Sequence, residues 1–229
     1  MTARAGGTQG GTQDGKTRRL LAPAMAGLLL MLVWQVSSGG RLLALDEALN
    51  QAFTPYRHGF ALTAFVWLTD LGTGRTGFAV ALVASVLFWS GGRTRMVLPL
   101  WVTFLGATAT TWAIKALVGR VRPEFIEAAS AASPSFPSAH ATVSLSVYGF
   151  LAYAACRGLP DRRDRELVHA GATVLIALVC FSRLYLSLHY LTDVLAGALV
   201  AGLWLLSGIR LAEHADTAAP RETTDAAQR

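Results

Sequence analysis

Charge is scarce in this chain. Asp, Glu, Lys and Arg together make up 15% of the 229 residues, against a hydrophobic share of 53% and a mean hydropathy of +0.43. That balance excludes an ordinary soluble domain of this length, in which about 25% of residues are charged. Cysteine is scarcer still: Cys156 and Cys180 lie at the end of one apolar run and inside another. A disulfide framework and a zinc site are therefore excluded, and both read as small buried hydrophobes. Fixed-period repeats, strand-like alternation and nucleic-acid motifs are also missing. The net charge of +6 thus points to anionic lipid headgroups and not to nucleic acid.

What the chain does have is oil in blocks. Uncharged, mostly apolar runs cover residues 20–36, 76–92, 96–114, 141–156, 170–182 and 194–209. A spanning helix takes about 20 residues, so the shorter runs must borrow polar ends. The fifth is the weakest and spans only if its helix begins near Leu167 and continues past Ser182. The expected fold is all-α, an integral membrane six-helix bundle; a soluble bundle with buried helices is the alternative. Residues 20–211 form the six-span domain, with a catalytic core over 96–211. Residues 1–19 and 212–229, rich in Gly, Thr, Ala and charge, read as disordered cytoplasmic tails.

Lysine and arginine set the orientation, since positive loops stay in the cytoplasm. The decisive loop is the short RGLPDRRDRE, 157–166, which carries Arg157, Arg162, Arg163 and Arg165. It places both termini inside and the loops after the first, third and fifth runs outside. The first run could also serve as a cleaved signal peptide, with Arg18 and Arg19 before it and small residues after it; that leaves the sidedness of every later segment unchanged. Between the first two runs, aromatic residues Phe53, Tyr56, Phe60, Phe65 and Trp67 alternate with Asp46, Glu47, Arg57 and Asp70. This pattern favours helices lying at the extracytoplasmic interface. GTGRTG (72–77) matches a dinucleotide-binding pattern by letter, but no strand precedes it, so it reads as a loop into the second span. His58, His169 and His214 stand alone and read as solvated or interfacial.

Three clusters remain, and this topology puts all of them on one side. KALVGRVRP (115–123) holds Lys115 and Arg122 two helical turns apart, facing one way if the helix persists to Pro123. PSFPSAH (134–140) reads as a helix start capped by Ser138, where exposed amides and the helix dipole attract an anion beside His140. SRLYLSLHYLTD (182–193) places His189 and Asp193 four apart, on one face if helical, so that the carboxylate can orient the imidazole. Arg183 adds a planar fork suited to phosphate oxygens. Three cations, an anion-binding helix start, two histidines and a carboxylate are suited to phosphoryl transfer without a metal.

These residues carry a resemblance. K-x6-RP (Lys115, Arg122, Pro123), PSxH (Pro137, Ser138, His140) and SR-x5-H-x3-D (Ser182, Arg183, His189, Asp193) are similar, in order and spacing, to the three-part signature of the type 2 phosphatidic acid phosphatase family. The resemblance covers roughly residues 41 to 210. Ala139 stands where many members have glycine, and is tolerated if its backbone is helical. The resemblance implies that His189 attacks phosphorus to form a phosphohistidine and that Asp193 orients it. It implies that His140 protonates the leaving group and then activates water. Lys115, Arg122, Arg183, Ser138 and the amide near Ala139 would hold the phosphate of a lipid substrate such as a polyprenyl diphosphate, phosphatidate or phosphatidylglycerophosphate. No cofactor and no metal are implied.

Rival readings stay open at the level of sequence. A metal site on His140, His189 and Asp193 is disfavoured by the three cations nearby. The related vanadium haloperoxidases share the anion cage but need no membrane spans. A non-enzymatic protein that binds lipid headgroups, or a transporter, would not need the His189–Asp193 pair with His140. A lipid phosphotransferase would use the same intermediate and differ only in its acceptor.

Overall fold

The computed structural model describes residues 10–123 and 133–217, with side chains described from Leu20 onward. Eight helices are found among them: α1 (Gly10–Ser37), α2 (Leu42–Phe53), α3 (Gly59–Thr69), α4 (Gly74–Ser90), α5 (Val97–Val118), α6 (Ala139–Cys156), α7 (Arg162–Tyr185) and α8 (Leu191–Thr217). The described residues contain no strand. Helices α1, α5, α6, α7 and α8 are each long and apolar enough to cross a membrane. Helix α4 has 17 residues, about 26 Å of helix against a hydrocarbon core of about 30 Å. It qualifies only together with α3, from which it is bent by 53°. The bundle is thus an integral membrane one of five spans, or six where α3 and α4 are counted together as one bent span.

The helix ends differ from the apolar runs in an instructive way. Helix α7 starts at Arg162, before the expected Leu167, because Arg162 Nε donates to Glu166 Oε1 at 2.7 Å one turn on, and such i,i+4 pairs support a first turn. Helices α1 and α8 run outward into segments expected to be tails, to Gly10 and Thr217. Once a span is nucleated and packed, each further residue adds a hydrogen bond at little cost, so composition alone does not mark the stop. Residues 1–9 and 218–229 of the two expected tails lie outside the described residues.

Helix α6 sits in the middle, packed on α8, α7, α5 and α4. Ala81, Phe88, Leu100, Phe104, Val147 and Phe150 join α4, α5 and α6 in one buried cluster. A second cluster ties Leu29, Leu32 and Val36 of α1 to Ala107, Phe136, Ala196 and Val200. The outward faces carry large apolar side chains such as Trp34, Trp89, Leu117 and Leu167, as a lipid-facing surface requires. Without a hydrophobic force between helices in lipid, close approach depends on small residues. Gly197 of α8 shows this: a Cβ there would lie 2.4 Å from the carbonyl oxygen of Ser138.

The segment expected at the interface forms α2 and α3, which cover one end of the bundle. Arg57, between them, donates from Nε to the Tyr185 carbonyl at 2.7 Å and from Nη2 to Asn50 Oδ1 at 2.7 Å. Phe65 of α3 meets Phe181 of α7 edge to face and Tyr185 at a tilt. GTGRTG is a turn into α4, as expected: Thr73 caps the helix by accepting from the Thr76 amide. Its glycine Gly72 leaves no room for a side chain, since a Cβ would lie 2.6 Å from Val179 and 3.1 Å from the Cβ of His140. His58, His169 and His214 are exposed, and both cysteines are free.

Candidate active site

Lys115, Arg122, Ser138, Ala139, His140, Arg183, His189 and Asp193 all lie at the end of the bundle covered by α2 and α3, and the chain brings each there by a different local device. Lys115 is in the last turn of α5 and is 1% exposed. Its Nζ donates to the Pro134 carbonyl and, at 3.3 Å, to that of Ser135. The helix does not persist to Arg122 as the spacing suggested. Gly119, at φ 63°, caps α5 in the left-handed conformation that glycine adopts freely, and the residues before Pro123 are non-helical. Arg122 therefore reaches the site from an extended segment. Its Nε donates to Ser133 O at 3.0 Å and its Nη1 to Leu188 O at 2.7 Å.

The PSxH segment matches its expectation. Ser138 caps α6, its Oγ accepting from the Ala141 amide at 3.5 Å, and its own amide donates to the Asp193 carbonyl at 2.9 Å. That bond pins the start of α6 to the first turn of α8. Ala139 is the first helical residue, so its backbone is one that alanine accepts without strain. His140 follows in the same turn, and the groups whose charges act on it are Arg183, His189, Arg122 and Lys115.

The third cluster departs from a simple helix. His189 lies in the turn between α7 and α8, and Asp193 in the first turn of α8. The turn is sharp: Ser187 takes φ 54°, and the amides of Leu188 and His189 both donate to the Arg183 carbonyl. The i,i+4 pair nevertheless forms, with His189 Nδ1 3.3 Å from Asp193 Oδ2. On the far side of the ring, Arg122 Nη1 lies 3.2 Å from Nε2. A guanidinium only donates, so this contact favours the tautomer with Nε2 as acceptor and the proton on Nδ1, facing the carboxylate, while a backbone hydrogen bond with Ser135 acts in the opposite sense by favouring ring protonation. Burial first, then Arg183, Arg122 and Lys115, hold the His189 imidazole well below its usual value near 6.5. Nε2 is therefore an unprotonated nitrogen presented to a cationic cage.

Arg183 completes that cage from the last turn of α7. Its Nη1 donates to Thr69 Oγ1 at 2.8 Å, while its buried Nε has no hydrogen-bond partner among the described residues. A buried guanidinium nitrogen without an acceptor is costly, and an anionic oxygen satisfies it. Among the described residues, no three His, Cys, Asp or Glu side chains come together so as to hold a metal ion. The donor set is that of an oxyanion site.

Four supporting residues escape a reading of the motifs. Thr69 holds Arg183. Asn50 of α2 accepts from Ser187 Oγ at 2.6 Å, bracing the turn that carries His189. Asp46, one turn before Asn50, accepts from the Thr192 amide at 3.0 Å. Arg120 donates to Asp193 Oδ1 at 2.7 Å and to Asp46 Oδ2 at 2.8 Å. The only signal for the α2 pair is LDEALN, in which Asp46 and Asn50 share a helix face in an otherwise apolar stretch.

The family model of the PAP2 superfamily matches residues 96–215. The chain is 29% identical over 153 residues to phosphatidylglycerophosphatase B of Bacillus subtilis (strain 168), covering 66% of this chain and 75% of the relative. Its fold is similar to a crystal structure described as the first transmembrane PAP2 type phosphatidylglycerolphosphate phosphatase from Bacillus subtilis. The TM-score is 0.77 at 25% identity, over 88% of this chain and 98% of that one.

Proposed function

This chain belongs to the PAP2 superfamily, and on that premise we propose that it is a membrane lipid phosphatase whose substrate is a phosphomonoester of the phosphatidylglycerophosphate kind. The substrate class follows the names of the relative and of the similar structure. The observation that carries the chemistry is the pair of contacts on His189, Nδ1 to the Asp193 carboxylate and Nε2 to Arg122, with Arg183 and Lys115 adding positive charge around the ring. A histidine so held is a nucleophile, and the cations neutralise the phosphoryl oxygens as charge moves.

In the proposed reaction, Lys115, Arg122, Arg183, Ser138 and the amide near Ala139 bind the phosphate. The Nε2 lone pair of His189 attacks phosphorus and the bond to the lipid oxygen breaks. His140 gives that oxygen its proton, and the ring proton of His189 stays on Nδ1 against Asp193. His140 then takes a proton from water, whose oxygen attacks phosphorus. The P–N bond breaks, and phosphate and free His189 are regenerated. No metal takes part in any step. The Arg157–Glu166 loop, at the opposite end of α6 and α7 from the site, supports an extracytoplasmic site and cytoplasmic termini.

Purified protein in detergent is expected to release phosphate from phosphatidylglycerophosphate in the presence of a strong chelator, and His189→Ala to release none. With labelled substrate, an acid-labile phosphoryl group is expected on the wild type and not on His189→Ala. Normal release by His189→Ala would sink the mechanism. Transfer of label to an added lipid alcohol in place of water would assign the phosphotransferase activity instead.

A further inference from the structure

Asp193 is itself gripped. Its Oδ2 accepts from the Tyr190 amide at 2.9 Å and faces His189, and its Oδ1 accepts from Arg120 Nη1 at 2.7 Å. Both oxygens are thus fixed, which locks the plane of the carboxylate that faces the imidazole. Arg120 is in turn held by three groups. Its Nη1 also donates to Thr192 Oγ1 at 2.7 Å, its Nη2 donates to Asp46 Oδ2 at 2.8 Å, and its guanidinium lies 4.1 Å from the centre of the Tyr190 ring. Asp46 spends its remaining capacity on α8, accepting from the Thr192 amide at 3.0 Å and from Thr192 Oγ1 at 2.5 Å. Asp46 and Asp193 are 1% and 0% exposed, so both carboxylates depend on these protein donors.

Resting on the phosphohistidine reading above, we infer that Arg120 and Asp46 are positioning residues for the nucleophile: Asp46 fixes Arg120, Arg120 fixes Asp193, and Asp193 fixes His189. Two features give the chain of contacts this role. First, its charge suits the reaction. One guanidinium between two carboxylates leaves a net negative charge behind His189, opposite the cage of Lys115, Arg122 and Arg183. Asp193 therefore remains an acceptor for the Nδ1 proton as the ring gains positive character during attack. Second, among the described residues no side-chain hydrogen bond of Asp46 or Arg120 is to Lys115, Arg122, Arg183, Ser138 or Ala139, so their effect reaches the reaction through orientation. Asp46 belongs to α2, outside the matched residues 96–215. The interfacial helix is on this account part of the catalytic apparatus and not only a cover.

The experiment uses full-length protein in detergent with phosphatidylglycerophosphate as substrate and inorganic phosphate as competing probe. Activity in wild type and its loss in His189→Ala establish the underlying reading independently. Arg120→Gln is then expected to lower kcat about a hundredfold, and Asp46→Asn about tenfold, as small misplacements of a reacting group do. KM and inhibition by inorganic phosphate stay within about twofold, because uniform binding is untouched. Arg120→Lys restores only part of kcat, having charge but no fork to bridge two carboxylates. The double variant is expected to be no slower than Arg120→Gln, as members of one chain are non-additive. If Arg120→Gln does not fold, Asp46→Asn decides alone, since asparagine keeps the size and a carbonyl acceptor for Thr192. An Asp46→Asn kcat within about twofold of wild type overturns the inference. A loss carried by KM or phosphate inhibition as much as by kcat also overturns it.

Discussion

A guanidinium nitrogen of Arg122 lies 3.2 Å from Nε2 of His189, on the side of the ring opposite Asp193. The contact does two things at once. It favours the tautomer with the proton on Nδ1, and it sets a positive charge against a buried imidazole, which disfavours protonation.

The pH dependence of activity follows from that contact. In the proposed mechanism the reactive form of His189 is neutral, and burial with Arg183, Arg122 and Lys115 lowers its protonation range well below 6.5. The acid limb of kcat/KM attributable to the enzyme is therefore expected below about 6.5. Arg122→Gln removes one of the opposing charges, so the pKa rises and the limb moves to higher pH while the rate falls. The titration of the substrate is common to both proteins and cancels in the comparison. An acid limb at the same pH in both would show that Arg122 does not tune His189.

Thr69 offers a test of binding at a distance from the nucleophile. Its hydroxyl accepts from Arg183 Nη1 at 2.8 Å from the end of α3. Thr69→Val keeps the shape and deletes the acceptor. A hydrogen bond to a charged group is worth about 1.5–3 kcal/mol, so the variant is expected to raise KM roughly tenfold. Its kcat should change less, because His189, His140 and Asp193 keep their contacts. Equal KM values for variant and wild type would assign Thr69 a purely local role.

Gly197 tests the seam that joins the two halves of the site. A methyl group there would lie 2.4 Å from Ser138 O and 3.1 Å from Thr142 Oγ1, where Ser138 N already donates to Asp193 O. Gly197→Ala is expected to force α6 and α8 apart and to cost about 1–3 kcal/mol, as overpacking does. Thermal inactivation in detergent should shift downward and activity should fall with it. An alanine variant as stable and active as wild type would mean that the seam yields without consequence.

Much of the architecture was legible before any coordinates because membrane insertion is a composition problem. Runs of uncharged residues located five spans and the core of the sixth. The aromatic and charged stretch after the first run predicted helices outside the main spans, and it forms α2 and α3 over one end of the bundle. The three motif clusters were legible because their residue types are costly in an oily chain and have few uses there. Two geometric readings did not hold in detail. Gly119 breaks the helix that was to align Lys115 with Arg122, and His189 lies ahead of α8 instead of on it. In both cases the residues still meet, because turns through the left-handed residues Gly119 and Ser187 replace the helical repeat.

The sequence by itself determined that this chain crosses a membrane and that its three motif clusters, with Lys115, Arg122, His140, Arg183, His189 and Asp193, belong at one end of it. Those properties depend on residue type and on spacing along a single helix or turn. Only the tertiary structure decided that Arg120 and Asp46 stand behind Asp193, that Thr69 holds Arg183, and that Asn50 braces the turn beneath His189. These contacts join residues from 73 to 146 positions apart for Arg120 with Asp193 and Asp46 with Thr192. No periodicity records such a pairing. It is fixed by the packing of α2 and α3 over the ends of α7 and α8, where each buried charge must find its partner.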